Sequence, residues 1–229
     1  MKTVSFVAVV TFLLSSAAFA DISTNEQDRV QKAAEVVAAL RQAPDKGIPE
    51  DLWGKAECVI VLPSVKKAAF GVGGEFGKGV MSCRQANGWT APVFMEMGKG
   101  SIGFQIGAQA TDLVLLVMNR QGVNRMLEDH VTLGTDASVA AGPVGRTGSA
   151  ATDHKFTAEV LSYSRSKGLF AGIDVSGGVL RPDKESNEHA YGTGTTAKAV
   201  VSSGAATPAQ MQAFVTSLGS GARATTGQR

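Results

Sequence analysis

Hydrophobic positions recur along this chain with two different periods, and the change of period divides it. Val30, Ala33, Ala34, Val37 and Leu40 return every third or fourth residue, while Asp28, Arg29, Gln31, Lys32 and Glu35 fill the positions between them. That spacing predicts an amphipathic helix. Ser23 stands three residues before Glu26, a capping-box pattern for its start, and Pro44 and Gly47 are expected to end it. The stripe is mostly Ala and Val without large aromatics, which suits a helix lying on a sheet; a helix lying on a membrane surface is the alternative.

After Trp53 the period falls to two or vanishes. Residues 58–62, Cys-Val-Ile-Val-Leu, form a continuous apolar run, as in a strand buried on both faces, and Pro63 is expected to stop it. Residues 70–83 carry Gly71, Gly73, Gly74, Gly77 and Gly79 and read as two short strands with a turn. Residues 89–97 predict another strand. Ile102, Phe104, Ile106, Ala108 and Ala110 then alternate with Gly103, Gln105, Gly107, Gln109 and Thr111, the clearest period-two signal in the chain. Asp112 is expected to interrupt it before a second buried run at 113–118. Asn119 can cap a short helix carrying Val123, Met126 and Leu127. Strands are expected near 131–133 and 139–144. A late hairpin is expected over 160–164 and 169–180, with Lys167 and Gly168 in its turn. Thr207-Pro208 opens a last short helix at about 208–218, with Met211, Phe214, Val215 and Leu218 on one face. The pattern predicts an α+β domain built on a strongly bent, glycine-rich antiparallel sheet, barrel-like or two-layer, with an N-terminal helix and short additional helices.

The first residues change the reading of everything after them. Lys2, the apolar residues 4–14 and Ala18-Phe19-Ala20 have the three parts of an export signal, with cleavage expected after Ala20. The expected organisation is a signal at 1–20, a domain at 21–192, and a Gly/Ala/Thr/Ser-rich tail at 193–229. The expected location is periplasmic or secreted, with possible attachment at a membrane surface. In an oxidising compartment Cys58 and Cys83, the only two cysteines, are expected to pair; two buried free thiols or a reactive thiol are the alternatives.

Composition narrows the function classes. The net charge of +2 falls to +1 once Lys2 leaves with the signal, too little excess for a general nucleic-acid binder. Three histidines and two cysteines leave few parts for a metal site, and no cofactor is expected. Gly98-Lys99-Gly100-Ser101-Ile102-Gly103 matches a dinucleotide-binding pattern, but a period-two strand follows where the pyrophosphate would need a helix N-terminus. No Gly-x-Ser-x-Gly occurs, and His130, His154 and His189 are scattered. The chain is therefore not expected to be an enzyme. Its cations offer more. Lys66 and Lys67 follow Pro63 in what reads as a surface loop, Lys78 and Lys99 sit among glycines, and Arg146, Arg165 and Lys167 fall near later turns. Loop cations at strand ends converge on an anionic headgroup surface in one reading and are ordinary solvated charge in the other.

An ordered set of motifs supplies a family. Ala56-x-Cys58-Val59-x-Val61-x-Pro63 is followed by Gly73-Gly74-x-x-Gly77-x-Gly79, Trp89-x-x-Pro92 and Gly103-x-x-x-Gly107. Then come Leu115-Leu116-x-Met118-Asn119, Gly142-Pro143-x-Gly145-Arg146, Tyr163-Ser164-x-Ser166-Lys167-Gly168-Leu169-Phe170-x-Gly172 and Tyr191-Gly192. Over about residues 30–192 the chain resembles the SYLF-domain family of lipid-binding proteins, which includes yeast actin-binding members. The resemblance implies non-enzymatic binding of membrane lipids. The signal points to an exported, bacterial-type member, for which anionic membrane phospholipids are the expected partners and actin is not. Lys66, Lys67, Lys78, Lys99, Arg165 and Lys167 are the candidate lipid contacts, with Phe70 and Phe76 as apolar residues that insert. A structural or protein-interaction module of the envelope, with a protein partner, is the alternative.

Overall fold

The structure, a computed structural model, describes residues 22–42, 47–145, 158–166 and 169–221, and within its two longest strands it describes 68–72 and 101–109 by backbone alone. The expected signal, Arg146, His154, the turn at Lys167 and Gly168 and the last eight residues lie outside the described residues, as does the side chain of Phe70. In chain order the elements are α1 (Thr24–Arg41), α2 (Glu50–Lys55), β1 (Cys58–Gln85), β2 (Gly88–Trp89), β3 (Val93–Val117), α3 (Arg120–Met126), β4 (Val131–Thr132), β5 (Val139–Ala141), β6 (Val160–Ser166), β7 (Leu169–Gly172), β8 (Val179–Pro182), α4 (Lys184–Tyr191), α5 (Ala197–Ser203), a 3-10 turn (Ala209–Met211) and α6 (Gln212–Leu218).

The sheet is α+β in class and strongly curled, as its glycines imply. Its spine is one antiparallel ribbon, in which β1 and β3 pair from Cys58↔Val117 to Met81↔Val93. The ribbon folds back on itself, so that residues 77–79 of β1 cross residues 61–65 of the same strand. At the crossing a Cβ on Gly77 would stand 2.6 Å from a Val65 methyl, and one on Gly79 would stand 2.7 Å from Leu62 Cα. Two strands can meet this closely only where side chains are missing. β6 extends the sheet from the upper part of β3, with β5 parallel and β7 antiparallel beside it. β8 pairs with residues 95–98 of β3 and carries β4 on its other side.

Several expected breaks are absent. Pro63 and Asp112 do not end strands. The register shifts between Leu62 and Val65, so Pro63 and Ser64 bulge opposite Asp112. A bulge tolerates a proline that cannot donate to the ladder. Ser64 takes a positive φ of 54°, and its N–H donates to Asp112 Oδ1 at 3.0 Å. The five glycines expected to mark a turn lie within one continuous strand, and the real turn is the short link at 85–88. The expected hairpin over 160–180 is also corrected: β6 pairs with β7, while β8 leaves to pair with β3 and β4.

Both faces of the sheet are covered where its apolar runs lie. α1 begins with the expected capping box, Ser23 N–H donating to Glu26 Oε2 at 2.6 Å and Glu26 N–H donating to Ser23 Oγ at 3.4 Å. Its Val30, Ala33, Val37 and Leu40 are buried, together with Leu52 and Trp53 of α2, on the outer face against Val59, Val61, Val80 and Phe94. The stripe thus covers a sheet. The stretch after Gly192 forms α5 and α6 rather than one helix, and Met211, Phe214 and Leu218 join this same outer core. The inner face holds Ile60, Leu62, Met81, Met95, Leu115 and Val117, closed by Met126 of α3 and Val200 of α5. Cys58 and Cys83 are bonded to each other inside, with Cα atoms 3.9 Å apart, joining the two ends of β1. Asn119 caps α3 as expected, accepting from Gly122 N–H at 2.8 Å. Among the described residues no helix is long and apolar enough to cross a membrane.

Candidate functional site

Among the described residues, the cations singled out in the sequence do not lie in loops, and they do not gather into one patch. Lys66, Lys67, Lys78, Lys99 and Arg165 are all strand residues. Lys66 and Lys67 are neighbours on one strand, so they point to opposite faces. Lys66 is exposed on the outside. Lys67 turns inward and pairs with Glu75 at 3.1 Å. Lys99 stands opposite Glu75 in the ladder. Lys78 lies on the outer face, 2.9 Å from Asp183 and 3.4 Å from Glu96. Arg165 is 3.3 Å from Asp112, with its guanidinium 5.9 Å from the Phe170 ring centroid. Glycines that look like turns in the sequence are strand residues here, and this moves their charged neighbours into the ladder, opposite carboxylates.

Lys67 and Lys99 do share a feature, the mouth of the curled sheet. A cavity of about 360 Å³ opens there above an apolar floor of Val65, Met97, Leu113 and Val175. Its charged rim is Lys67, Lys99, Glu75 and Asp174. Two cations against two carboxylates make no positive patch. A larger open cleft of about 1050 Å³ lies among α3, α4 and α5, bordered by Asp129, His130, Asp136, Lys184, Glu188 and Lys198. Asp129 pairs with Lys184 at 3.2 Å, and Asp136 accepts from Thr132 N–H at 2.7 Å. Among the described residues no group of three or more His, Cys, Asp or Glu side chains could hold a metal ion.

The most connected charge was invisible in the sequence. Asp183 is 4% exposed, at the start of α4. Its carboxylate accepts from Arg29 of α1 at 2.9 Å, Lys78 of β1 at 2.9 Å and Ser186 at 2.9 Å. Burial opposes its ionisation, but the hydrogen bonds from Lys78, Ser186 and Arg29 outweigh burial and hold its carboxyl below the ordinary range. Next to it Asn187 replaces a missing strand: its side chain accepts from Phe94 N–H at 2.8 Å and donates to Phe94 C=O at 2.9 Å. His189, on the same helix, sits 3.0 Å from buried Glu26 of α1. That hydrogen bond and the Glu26 charge raise the His189 pKa. These groups fasten α1 and α4 to the sheet. Their partners lie far apart in the chain, 105 residues for Lys78 and Asp183, so no local pattern announces them.

Beyond this fastened region, among the described residues, the outer face is an open pocket of about 450 Å³ edged by Asp129 and His130. Phe76, Gly98 and Val179 stand side by side on β1, β3 and β8, in one cross-strand row. Phe76 is 51% and Val179 37% exposed, and a Cβ on Gly98 would touch nothing within 4 Å. Gly74 and Gly100 extend this floor in the next row, and Lys78, Glu96 and Arg181 bound it on the other side. Arg181 donates through Nε to Glu96 Oε1 at 2.6 Å, and its side chain is 60% exposed.

Comparison with known proteins adds the family. Residues 98–220, over half of the chain, match the Ysc84 family model, described as "Las17-binding protein actin regulator". LAS seventeen-binding protein 3 of Saccharomyces cerevisiae is 34% identical over 185 residues, covering 77% of this chain and 40% of the relative. Protein YSC84 of the same yeast is 32% identical over 185 residues, covering 77% and 39%. SH3 domain-containing YSC84-like protein 1 of Xenopus laevis is 35% identical over 178 residues, covering 75% and 53%. The chain thus spans about two fifths to half of the length of these curated relatives. Two of their names and the family description refer to Las17 binding, an SH3 domain or actin, and none refers to a lipid. This overturns the expectation of anionic phospholipids as partners and of actin as excluded. Lys67, Lys78 and Arg165 are paired with carboxylates, so they do not form the free positive patch on which the phospholipid expectation drew.

Proposed function

The chain belongs to the Ysc84 family, the SYLF domain of the resemblance above, and on that basis we propose that it is a non-catalytic protein-interaction module. The observation that carries this reading is the match to relatives named for what they bind rather than for a reaction. The curled sheet supports it: charged side chains fasten its helices at Asp183, and among the described residues an open pocket remains on its outer face. We further propose that the module acts after export, in an oxidising compartment. The signal-like residues 1–20 and the Cys58–Cys83 bridge support that location.

The test is crosslinking of the full chain in its native cells, followed by purification and mass spectrometry. One protein adduct of fixed stoichiometry is the expected result. Absence of any protein adduct, with lipid alone co-purifying, would remove the reading. Filamentous actin is the probe for the role in the family description, and co-pelleting of the oxidised, purified protein with filaments would carry that role to this chain.

A further inference from the structure

We propose that the open outer pocket at Phe76, Gly98, Val179 and Arg181, edged by Asp129 and His130, is the docking surface, and that its occupant is a short extended segment of a protein partner carrying an apolar side chain beside a carboxylate. The inference rests on the protein-interaction reading and assigns it a place.

The floor comes first. Gly98 has Phe76 opposite it on one side and Val179 on the other. Successive cross-strand neighbours lie about 5 Å apart. Two apolar walls therefore stand about 10 Å apart across a position with no side chain, and nothing lies within 4 Å above it. That is the width of one apolar side chain lying flat, held between an aromatic ring and a branched aliphatic. Gly74 and Gly100 leave the floor open along the strand direction, so an extended backbone can run across it. The floor is four strands wide, β1-β3-β8-β4, so it does not need to be ordered on binding.

The charge comes from Arg181, on the neighbouring row of the same face. Glu96 engages its Nε, while 60% of the side chain faces solvent. Its planar fork suits a carboxylate. Lys78, the other cation of that row, is already held by Asp183 and Glu96, and Asp129, the carboxylate at the pocket's edge, is paired with Lys184 at 3.2 Å. The complementary group on the partner is thus one carboxylate, about two strand positions from the apolar anchor.

The size of the face selects the kind of occupant. Among the described residues the exposed large apolar side chains are Phe76, Val179 and, on β7, Leu169. Two such residues cannot supply the roughly 800 Å² per partner of a stable homodimer interface. They do suit one anchored segment, since a few residues at the centre of an interface carry most of its energy.

A photo-crosslinking residue placed in the full chain at position 76, 179 or 169, in its native cells, tests the surface. The expected result is a protein adduct from 76 and 179 and none from 169. The crosslinked partner peptide should hold an apolar residue within two or so positions of Asp or Glu. Gly98→Val, which fills the floor, should reduce the adduct by about tenfold while leaving the melting temperature unchanged, because its side chain enters open space. Arg181→Glu should reduce it similarly, and recovery is expected when the partner's mapped acidic residue is changed to Lys. Adducts from 169 alone, or an adduct unaffected by Gly98→Val, would overturn this surface while the protein-interaction reading stands. An adduct from 76 and 179 to a second copy of this chain would overturn the choice of occupant. No adduct from any position would overturn both.

Discussion

The β1–β3 ribbon is one continuous pair of strands with two unlike stretches. At one end residues 58–62 and 113–117 lie side by side, buried on both faces, with α1 outside and α3 inside. In the middle of the ribbon, before it is buried again at residues 80–83 and 93–95, residues 73–79 and 97–100 carry glycine and charge, and among the described residues the outer face beyond Lys78 is an open pocket edged by Asp129 and His130. The backbone ladder is the same in both. The difference lies in how many layers touch it, and the side chains follow: continuous apolar runs where both faces are covered, glycines and ion pairs where one is not. A single hairpin can thus serve as core at one place and as working surface at another.

The glycines mark the sharpest contrast. Gly79→Val should be the most damaging change, since its side chain would enter the backbone of Val61 and Leu62. A loss of at least about 4 kcal/mol is expected in urea unfolding, or no folded protein at all. Gly98→Val, in the open part of the same ribbon, should change stability by no more than about 0.5 kcal/mol. Equal effects would mean that the ribbon does not fold over itself.

Next in size is the fastening of the helices. Asp183→Asn should cost about 3 kcal/mol, because it strands Arg29 and Lys78 beside a neutral group. The pH dependence has a definite sign. The folded-state pKa of Asp183 is depressed, so its stabilisation is present above the ordinary carboxylate value near 3.9 and is lost as pH falls through the folded value. Acid unfolding of the Asn variant should lack this contribution. Reducing the Cys58–Cys83 bridge, which closes a loop of 25 residues in sequence, should cost a similar or slightly smaller amount, about 3 kcal/mol. Thermal melts with and without reductant measure it.

The smallest effects belong to exposed charge. Lys66→Ala and Lys67→Ala should each stay within about 0.5 kcal/mol, since Lys66 is exposed and the Lys67–Glu75 pair is partly solvated. His189 should give a slope rather than a step. Its folded pKa is raised, so its pairing with Glu26 is complete below about 6.5 and fades as pH rises through the higher folded value. An NMR titration of the imidazole would show the raised midpoint, and Glu26→Gln should remove it.

Legibility in the sequence followed the range of each interaction. The Ser23–Glu26 cap, the α1 stripe, the apolar run at 58–62 and the Asn119 cap are contained within a few residues, and each pattern matches its element. Pro63 and Asp112 each look like a strand break when read alone. Opposite one another in the ladder they form a bulge, and 48 residues separate Ser64 from the Asp112 that satisfies it. α4 gave no apolar stripe because it buries Ser186 and Asn187 through hydrogen bonds instead. The candidate cations are visible in the sequence, but the carboxylates that pair with them are not their neighbours in the chain. Phe76 is legible in the sequence only as an apolar residue, since the row that joins it to Gly98 and Val179 exists only once three strands are aligned.

The bond between Cys58 and Cys83 also carries information about time. The ribbon's turn lies at 85–88, next to Cys83, and zipping that starts there reaches Cys58 last. Hairpin pairing takes about 1–10 μs, whereas disulfide formation takes seconds to hours. The sulfur atoms should therefore meet only after the ribbon has paired and folded over, and the covalent bond acts as a seal on a finished shape. Alkylation at intervals during oxidative refolding should find both thiols free until the sheet has formed. A chain oxidised while still unfolded would have to thread β3 alongside a strand whose ends are already tied, and it should refold more slowly than one oxidised at the end.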